Sequence, residues 1–139
     1  MELRAYTDGA ARGNPGPSAS GYLIYEGRKI LQQRSVYNGI ATNNYAEYGA
    51  VILALKWCIS NFEPKKVSLS LYSDSELVVK QLNGAYKVKS KPLKKLNDEA
   101  KILIKKFEKV RLINVRREDK NISLVDRALN SLLDATQTQ

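Results

Sequence analysis

Asp8 and Asp74 close two short stretches of nearly the same pattern, "AYTD" at residues 5–8 and "LYSD" at residues 71–74. In each, a tyrosine and a hydroxyl residue precede the carboxylate. Side chains of an extended chain alternate between faces, so each aspartate shares a face with the tyrosine two residues before it. If the two stretches are parallel neighbours about 4.8 Å apart, both aspartates emerge side by side at the carboxyl ends of their strands. That edge is where open α/β sheets place ligands. Adjacent carboxylates repel and raise each other's pKa unless a cation lies between them, and a hard, oxygen-seeking ion such as Mg²⁺ suits them. Two more acids stand on apolar segments. Glu47 lies in the first turns of a helical stretch, in line with Val51, Ala54 and Cys58, and an acid on such a face needs a partner. Asp126 is flanked by Leu124, Val125, Ala128 and Leu129.

The composition limits the alternatives. A chain of 139 residues with 43% apolar and 27% charged residues is of single-domain size and can bury a core. It has 23 Lys and Arg against 14 Asp and Glu, a formal charge of +9 that favours polyanionic partners. It contains no histidine, which removes His-based triads, His general bases and His metal ligands. Cys58 is the only cysteine, so no internal disulfide or thiolate metal site can form. No apolar run approaches about 18 residues, so no membrane association is expected. The start "MELRAYTDGA" lacks a basic region followed by an apolar stretch, and a cytoplasmic location is expected.

The elements that must carry these acids follow from hydrophobic period and punctuation. Residues 2–8 alternate as a strand, and a loop with Gly9, Gly13 and Gly16 is expected to follow Asp8. "ASGYLIYEGRKILQQRSVY" reads as two strands joined at Glu26-Gly27. "TNNYAEYGAVILALKWCIS" is helical, capped by Thr42 or Asn43, and apolar almost all round, which predicts the most buried helix. After Pro64, "KKVSLSLYSD" is a strand and "SELVVKQLNG" a short helix stopped by Gly84. "YKVKSKP" is a basic connector. Leu93, Leu96, Ala100, Leu103 and Phe107 mark a second long helix, "KVRLINV" a fifth strand, and "SLVDRALNSLLDA" a last helix. The order βββαβααβα predicts an α/β protein with an antiparallel hairpin on an otherwise parallel sheet. No linker divides the chain. A single domain over residues 1–135 and a frayed polar tail over 136–139 are expected.

The stretches "YTDGAARGNPGPSASGYLIY", "TNNYAEYGAVILALKW", "LYSDSELVVKQLNG" and "VRREDKNISLVDRALNSLL" together resemble the type 1 ribonuclease H (RNase HI) family, above all its archaeal and short bacterial members, from about residue 2 to about residue 134. The resemblance implies a ribonuclease H-like fold, a five-stranded mixed sheet flanked by helices. It implies endonucleolytic cleavage of the RNA strand of an RNA–DNA hybrid, leaving a 5′-phosphate and a 3′-hydroxyl. Two Mg²⁺ or Mn²⁺ ions would do this, held by the catalytic set Asp8, Glu47, Asp74 and Asp126. Substrate contacts would fall on Gly9, Asn14, Thr42, Asn43 and Asn44, whose small or amide side chains suit a shallow minor groove. Glu76 stands where many members carry Gln. The long basic protrusion of many bacterial members is reduced to "AYKVKSKPLKK", where Lys87, Lys89 and Lys91 either grip phosphates or form a solvated connector. The family's mobile histidine loop is replaced by "RREDKN", which offers Arg116 or Arg117 instead. A monomer is expected. Double-stranded RNA remains an alternative substrate, because both duplexes lean towards A-form. A nonenzymatic hybrid- or RNA-binding module would predict loss of at least one acid.

Overall fold

A computed structural model describes residues 1–137. Strands β1 (Glu2–Ala11), β2 (Gly16–Glu26), β3 (Lys29–Ala41), β4 (Ser68–Ser73) and β5 (Lys109–Asn114) form one sheet in the order β3-β2-β1-β4-β5. β1, β2 and β3 are an antiparallel meander, while β4 and β5 continue the sheet in parallel from β1. The helices are α1 (Asn43–Asn61), α2 (Glu76–Leu82), α3 (Lys91–Ile104) and α4 (Lys120–Gln137). The expected order βββαβααβα and the mixed five-stranded sheet are what the chain forms.

β1 is central, and its alternation feeds two cores. Leu3 and Ala5 point to one face, into a core shared with Val51, Leu55 and Cys58 of α1, and Ala100 of α3 belongs to the same core. Tyr6 points to the other, where Ile122, Val125, Leu129 and Leu133 of α4 form a stripe at helical spacing. α1 lies between the sheet and α3, which is why it is apolar round most of its circumference; its buried residues include Ala46, Tyr48, Ile52 and Ala54. Cys58 is fully buried there, and burial pushes its thiol up to about 12, so it is inert.

Side-chain caps fix the helix starts. Thr42, rather than Asn43, caps α1 by accepting from the Tyr45 N–H at 3.1 Å. Ser75 caps α2, Ser90 caps α3, and Asp119 accepts from the Asn121 and Ile122 N–H groups at the start of α4. Gly84, at φ +81°, lies just past the end of α2 as its position in the sequence implies.

Three expectations change. β1 does not stop at Asp8 but pairs with β2 as far as Ala11↔Ser18, because an antiparallel partner continues where the parallel one ends. α3 ends at Ile104; Phe107 reaches the core from the following turn, whose N–H groups bond back to Leu103 and Ile104. α4 continues two residues into the expected tail, to Gln137, with the Thr136 hydroxyl donating back to the Leu132 and Leu133 carbonyls. The last two tail residues lie outside the described ones.

Gly9 is therefore a strand residue, not part of a loop. A Cβ there would lie 2.3 Å from the Ala46 carbonyl carbon and 2.4 Å from the Glu47 nitrogen. Only glycine lets the first turns of α1 rest on β1 at this point. Gly9→Ala is expected to lower stability by about 1–3 kcal/mol, as overpacking against backbone does. It should also weaken any thermal stabilisation by divalent cations, since Glu47 must move with α1. A melting temperature equal to that of the unmodified protein, with and without Mg²⁺, would show that the contact is slack.

Candidate active site

The parallel ladder between β1 and β4 ends at Thr7↔Ser73, and the two aspartates are the next residue on each strand. The Tyr6 and Tyr72 rings, paired in register one step earlier, stack with centroids 4.7 Å apart beneath them. Beyond this point the chains part. β1 runs on with β2, whereas β4 turns into α2, with the Ser75 N–H held by the Ser73 hydroxyl at 3.0 Å. The parting opens one end of the sheet beside Asp8, and there the two helical layers meet. Glu47 comes from α1 on one face and Asp126 from α4 on the other.

Asp8, Glu47 and Asp74 each bring a carboxylate oxygen within 4.8 Å of the others. Asp126 lines the same cleft, of about 580 Å³, without joining that close group. Asp8 is only 4% exposed; its Oδ1 accepts from the Gly9 N–H at 3.0 Å. Burial, then the charge of Asp74, pushes Asp8 up to about 8. Burial also holds Glu47 well above the usual carboxylate range, with Asp8 and Asp74 adding repulsion, and it shares a hydrogen bond with Asp8. Asp74 is raised by burial, less strongly because hydrogen bonding and the charge of Arg117 oppose it.

Glu47 Oε2 and Asp74 Oδ1 are buried with no hydrogen-bond partner. Unpartnered buried carboxylate oxygens are costly, and here they belong to the group whose ligand atoms converge. An oxygen-only donor set of this kind suits a hard divalent cation rather than a thiophilic one.

The other expected site residues divide. Asn43 and Gly9 line the acidic cleft, while Asn14, Thr42 and Asn44 line a neighbouring groove of about 630 Å³ with Tyr45 and Ser90. Asn14 and Asn43 also brace this surface. Asn14 Oδ1 accepts from the Asn43 N–H at 3.0 Å, and Asn43 Oδ1 accepts from the Ala11 N–H at 2.9 Å. Of the two arginines, Arg117 lines the cleft and Arg116 does not. Lys87, Lys89 and Lys91 are exposed and outside the cleft. Glu76 is held back on α2 by Lys80 at 2.9 Å and the Tyr86 hydroxyl at 3.1 Å. Besides Ala10 and Ala11, two polar cleft residues went unnoticed in the sequence, Arg12 and Asn130. Nothing local marks them, since they meet across 118 residues.

Helices on both faces of a mixed sheet, with acids gathered at the end of its central strand, define the ribonuclease H-like class of folds. The chain belongs to the RNase H family, whose model matches residues 1–125. Ribonuclease HI of Halobacterium salinarum is 37% identical over 135 residues, covering 96% of this chain and 61% of that protein. A bifunctional protein of Mycobacterium tuberculosis is 32% identical over 137 residues, but the chain spans only 36% of its length. The crystal structure of the Halobacterium RNase H1 superposes with a TM-score of 0.88 at 35% identity, covering 97% of this chain and 99% of that one. LC11-RNase H1 in complex with an RNA/DNA hybrid gives 0.89 at 33% identity, with the same coverage.

The raised acids give the metal-free protein a definite pH response. Between the ordinary aspartate value of 3.8 and about 8, folded Asp8 keeps a proton that the unfolded chain has lost. Stability from this group is therefore full at low pH and lost as pH rises through that window. In chelator, the melting temperature of the unmodified protein relative to Asp8→Asn should fall from pH 4 to pH 8, and Asp8→Asn should melt higher at pH 8. Divalent cation should reverse the order, because binding needs the carboxylates deprotonated. Parallel curves for the two proteins in chelator would refute the raised Asp8.

Proposed function

We propose that the protein is an endoribonuclease that hydrolyses the RNA strand of RNA–DNA hybrids, with two divalent cations held by Asp8, Glu47, Asp74 and Asp126. The observation that carries this is the convergence of three acids, two of them with buried, unpartnered oxygens, at the open end of the sheet in an RNase H family chain. Mg²⁺ or Mn²⁺ bound there would supply a Lewis acid for the scissile phosphate and lower the pKa of the attacking water, giving 5′-phosphate and 3′-hydroxyl ends. The carboxylates supply oxygen ligands, and Gly9 keeps the strand close enough to α1 for Glu47 to reach Asp8. Asn14 and Asn43 hold the edge of the cleft and present amide groups that can donate to a ribose hydroxyl or base edge. The exposed Lys87, Lys89 and Lys91 add positive charge that would attract phosphate. Residues 1–135 act as one domain, as a monomer in the cytoplasm. Among the described residues no helix is long and apolar enough to cross a membrane.

The hybrid named in the LC11 complex supports the substrate. End-labelled hybrid, double-stranded RNA, DNA duplex and single strands, each with Mg²⁺ or Mn²⁺, test it directly. Cleavage confined to the RNA of the hybrid is expected; equal cutting of double-stranded RNA would establish the relaxed alternative. Asp74→Asn should keep the fold and hybrid binding yet lose about two orders of magnitude or more in kcat, since it removes a ligand charge without changing shape. A mutant within a few-fold of the original rate would remove Asp74 from the set.

Arg117 takes the place of the absent histidine in this reading. Its guanidinium faces the cleft and stays charged throughout the working range, so it can hold a phosphate oxygen but cannot shuttle a proton. Arg117→Ala should lower kcat roughly ten-fold, the scale of one charge-assisted hydrogen bond, without changing the shape of the pH–rate profile. Arg116→Ala should leave turnover near its original value. An altered profile shape, or the reverse ranking of the two mutants, would count against it.

A further inference from the structure

Asp126 stands apart from the three-acid cluster, on the one helix that covers the second face of the sheet. The apolar stripe of α4 holds it there, but apolar contact is not directional and does not by itself fix a helix along its axis. Polar bonds do. At the start of α4 the Tyr25 hydroxyl donates to Asn121 Oδ1 at 2.8 Å. Past Asp126 the tie is Arg12. It follows the last residue of β1, in a turn where its N–H donates to the Pro17 carbonyl at 2.8 Å, and its own carbonyl lies over Gly16, where a Cβ would come within 2.0 Å. From this fixed base the guanidinium crosses to α4. It donates to the Asn130 carbonyl and Oδ1, each at 3.2 Å, and pairs with Asp134 at 2.6 Å. Asn130 Nδ2 in turn donates to the Asp126 carbonyl at 3.0 Å. Among the described residues, Arg12–Asp134 is the only ion pair that joins α4 to the rest of the molecule.

We infer that Arg12 is a positioning residue: through Asn130 it sets where Asp126 stands relative to Asp8, four residues upstream on β1. The inference rests on the ribonuclease reading for its effect on rate, but the clamp itself does not. Arg12 lines the acidic cleft and carries positive charge, so a direct contact with substrate phosphate is the natural rival. The geometry argues otherwise, because the guanidinium is already committed to acceptors on α4. A lysine would preserve the charge but not the fork that reaches Asn130 and Asp134 together.

The test combines Arg12→Ala, Arg12→Lys and Asn130→Ala with Arg12→Ala in an Asp126→Ala background. Hybrid cleavage is measured in Mg²⁺, hybrid binding in chelator, and amide hydrogen exchange over residues 126–134 without metal. A displaced carboxylate loses about ten-fold or more in kcat, given the steep dependence of catalysis on position. With KM and hybrid affinity within two-fold, that loss should appear in Arg12→Ala, be only partly recovered by Lys, and be smaller in Asn130→Ala. Exchange over residues 126–134 should accelerate, and Arg12→Ala should add nothing once Asp126 is gone. A rise in KM and in hybrid Kd with kcat intact, or full rescue by Lys, would overturn the inference in favour of a phosphate contact. An unchanged kcat, or an independent loss in the Asp126→Ala background, would also overturn it. If the unmodified protein fails to cut hybrid, the ribonuclease reading falls; unchanged exchange in Arg12→Ala would then sink the clamp separately, and accelerated exchange would sustain it.

Discussion

Gly9 carries a hydrogen where any other residue carries Cβ, and the backbone of α1 occupies that space, 2.3–2.5 Å from where the atom would be. The rest of the site depends on this approach. It brings Glu47, from the layer on one face of the sheet, against Asp8, whose side chain belongs to the other face. A helix resting on an ordinary side chain would stand off by the thickness of a methyl group, and the carboxylates would not converge. The same packing buries them: Asp8 is nearly inaccessible, and desolvation is the largest cause of its raised pKa. One steric allowance thus creates both the ligand geometry and its electrostatic cost.

That cost is met locally in several small ways. The Gly9 N–H bonds Asp8, Asp8 and Glu47 share a hydrogen bond, and Arg117 eases Asp74. None of these removes the repulsion, and two oxygens are left with no partner. Ser18 Oγ and Asn97 Oδ1 are also buried without a partner, but only the two carboxylate oxygens belong to a converging ligand set, where a bound cation would satisfy them. The wider charge works in the same direction. A net +9 chain with its acids gathered in one cleft draws a polyanion to a site that would locally repel it.

The parts of this arrangement written into the sequence are those with short-range signals. The twin "YTD" and "YSD" endings put both acids side by side if their strands are parallel neighbours, and they are: the ladder ends one residue before both acids. The cap of α1, narrowed to Thr42 or Asn43, the stop at Gly84 and the apolar stripe of α4 were legible from capping, φ preference and helical period. What local pattern could not show depends on partners distant in the chain. The extension of β1 past Asp8 is decided by β2, which offers hydrogen bonds there, not by the glycines that suggest a loop. Phe107 keeps helical spacing from Leu103 yet lies beyond the helix, because burial requires only that it reach the core. Gly9 reads as a loop residue beside a phosphate chain, and its contact with α1 across 37 residues appears only once both elements are placed. Arg116 and Arg117 are equivalent as letters; the turn closed by the Asp119 N–H on the Arg116 carbonyl separates them.

In a chain with no histidine, the two arginines of the cleft divide what positive charge can do there. Arg12 is spent: its donors are taken by Asn130, Asp134 and Gln137, all on α4, and moving it would break those ties. Arg117 is unspent. Among the described residues it makes no hydrogen bond or ion pair, and it acts on Asp74 only through its field. A cation fixed by many partners is good at holding backbone in place and poor at meeting an incoming anion, since it must first give up bonds. A cation on a short turn with none has the opposite properties. Neither can take up or release a proton near neutral pH. The acids are raised by burial and by one another's charge, and a cation bound among them would hold them deprotonated.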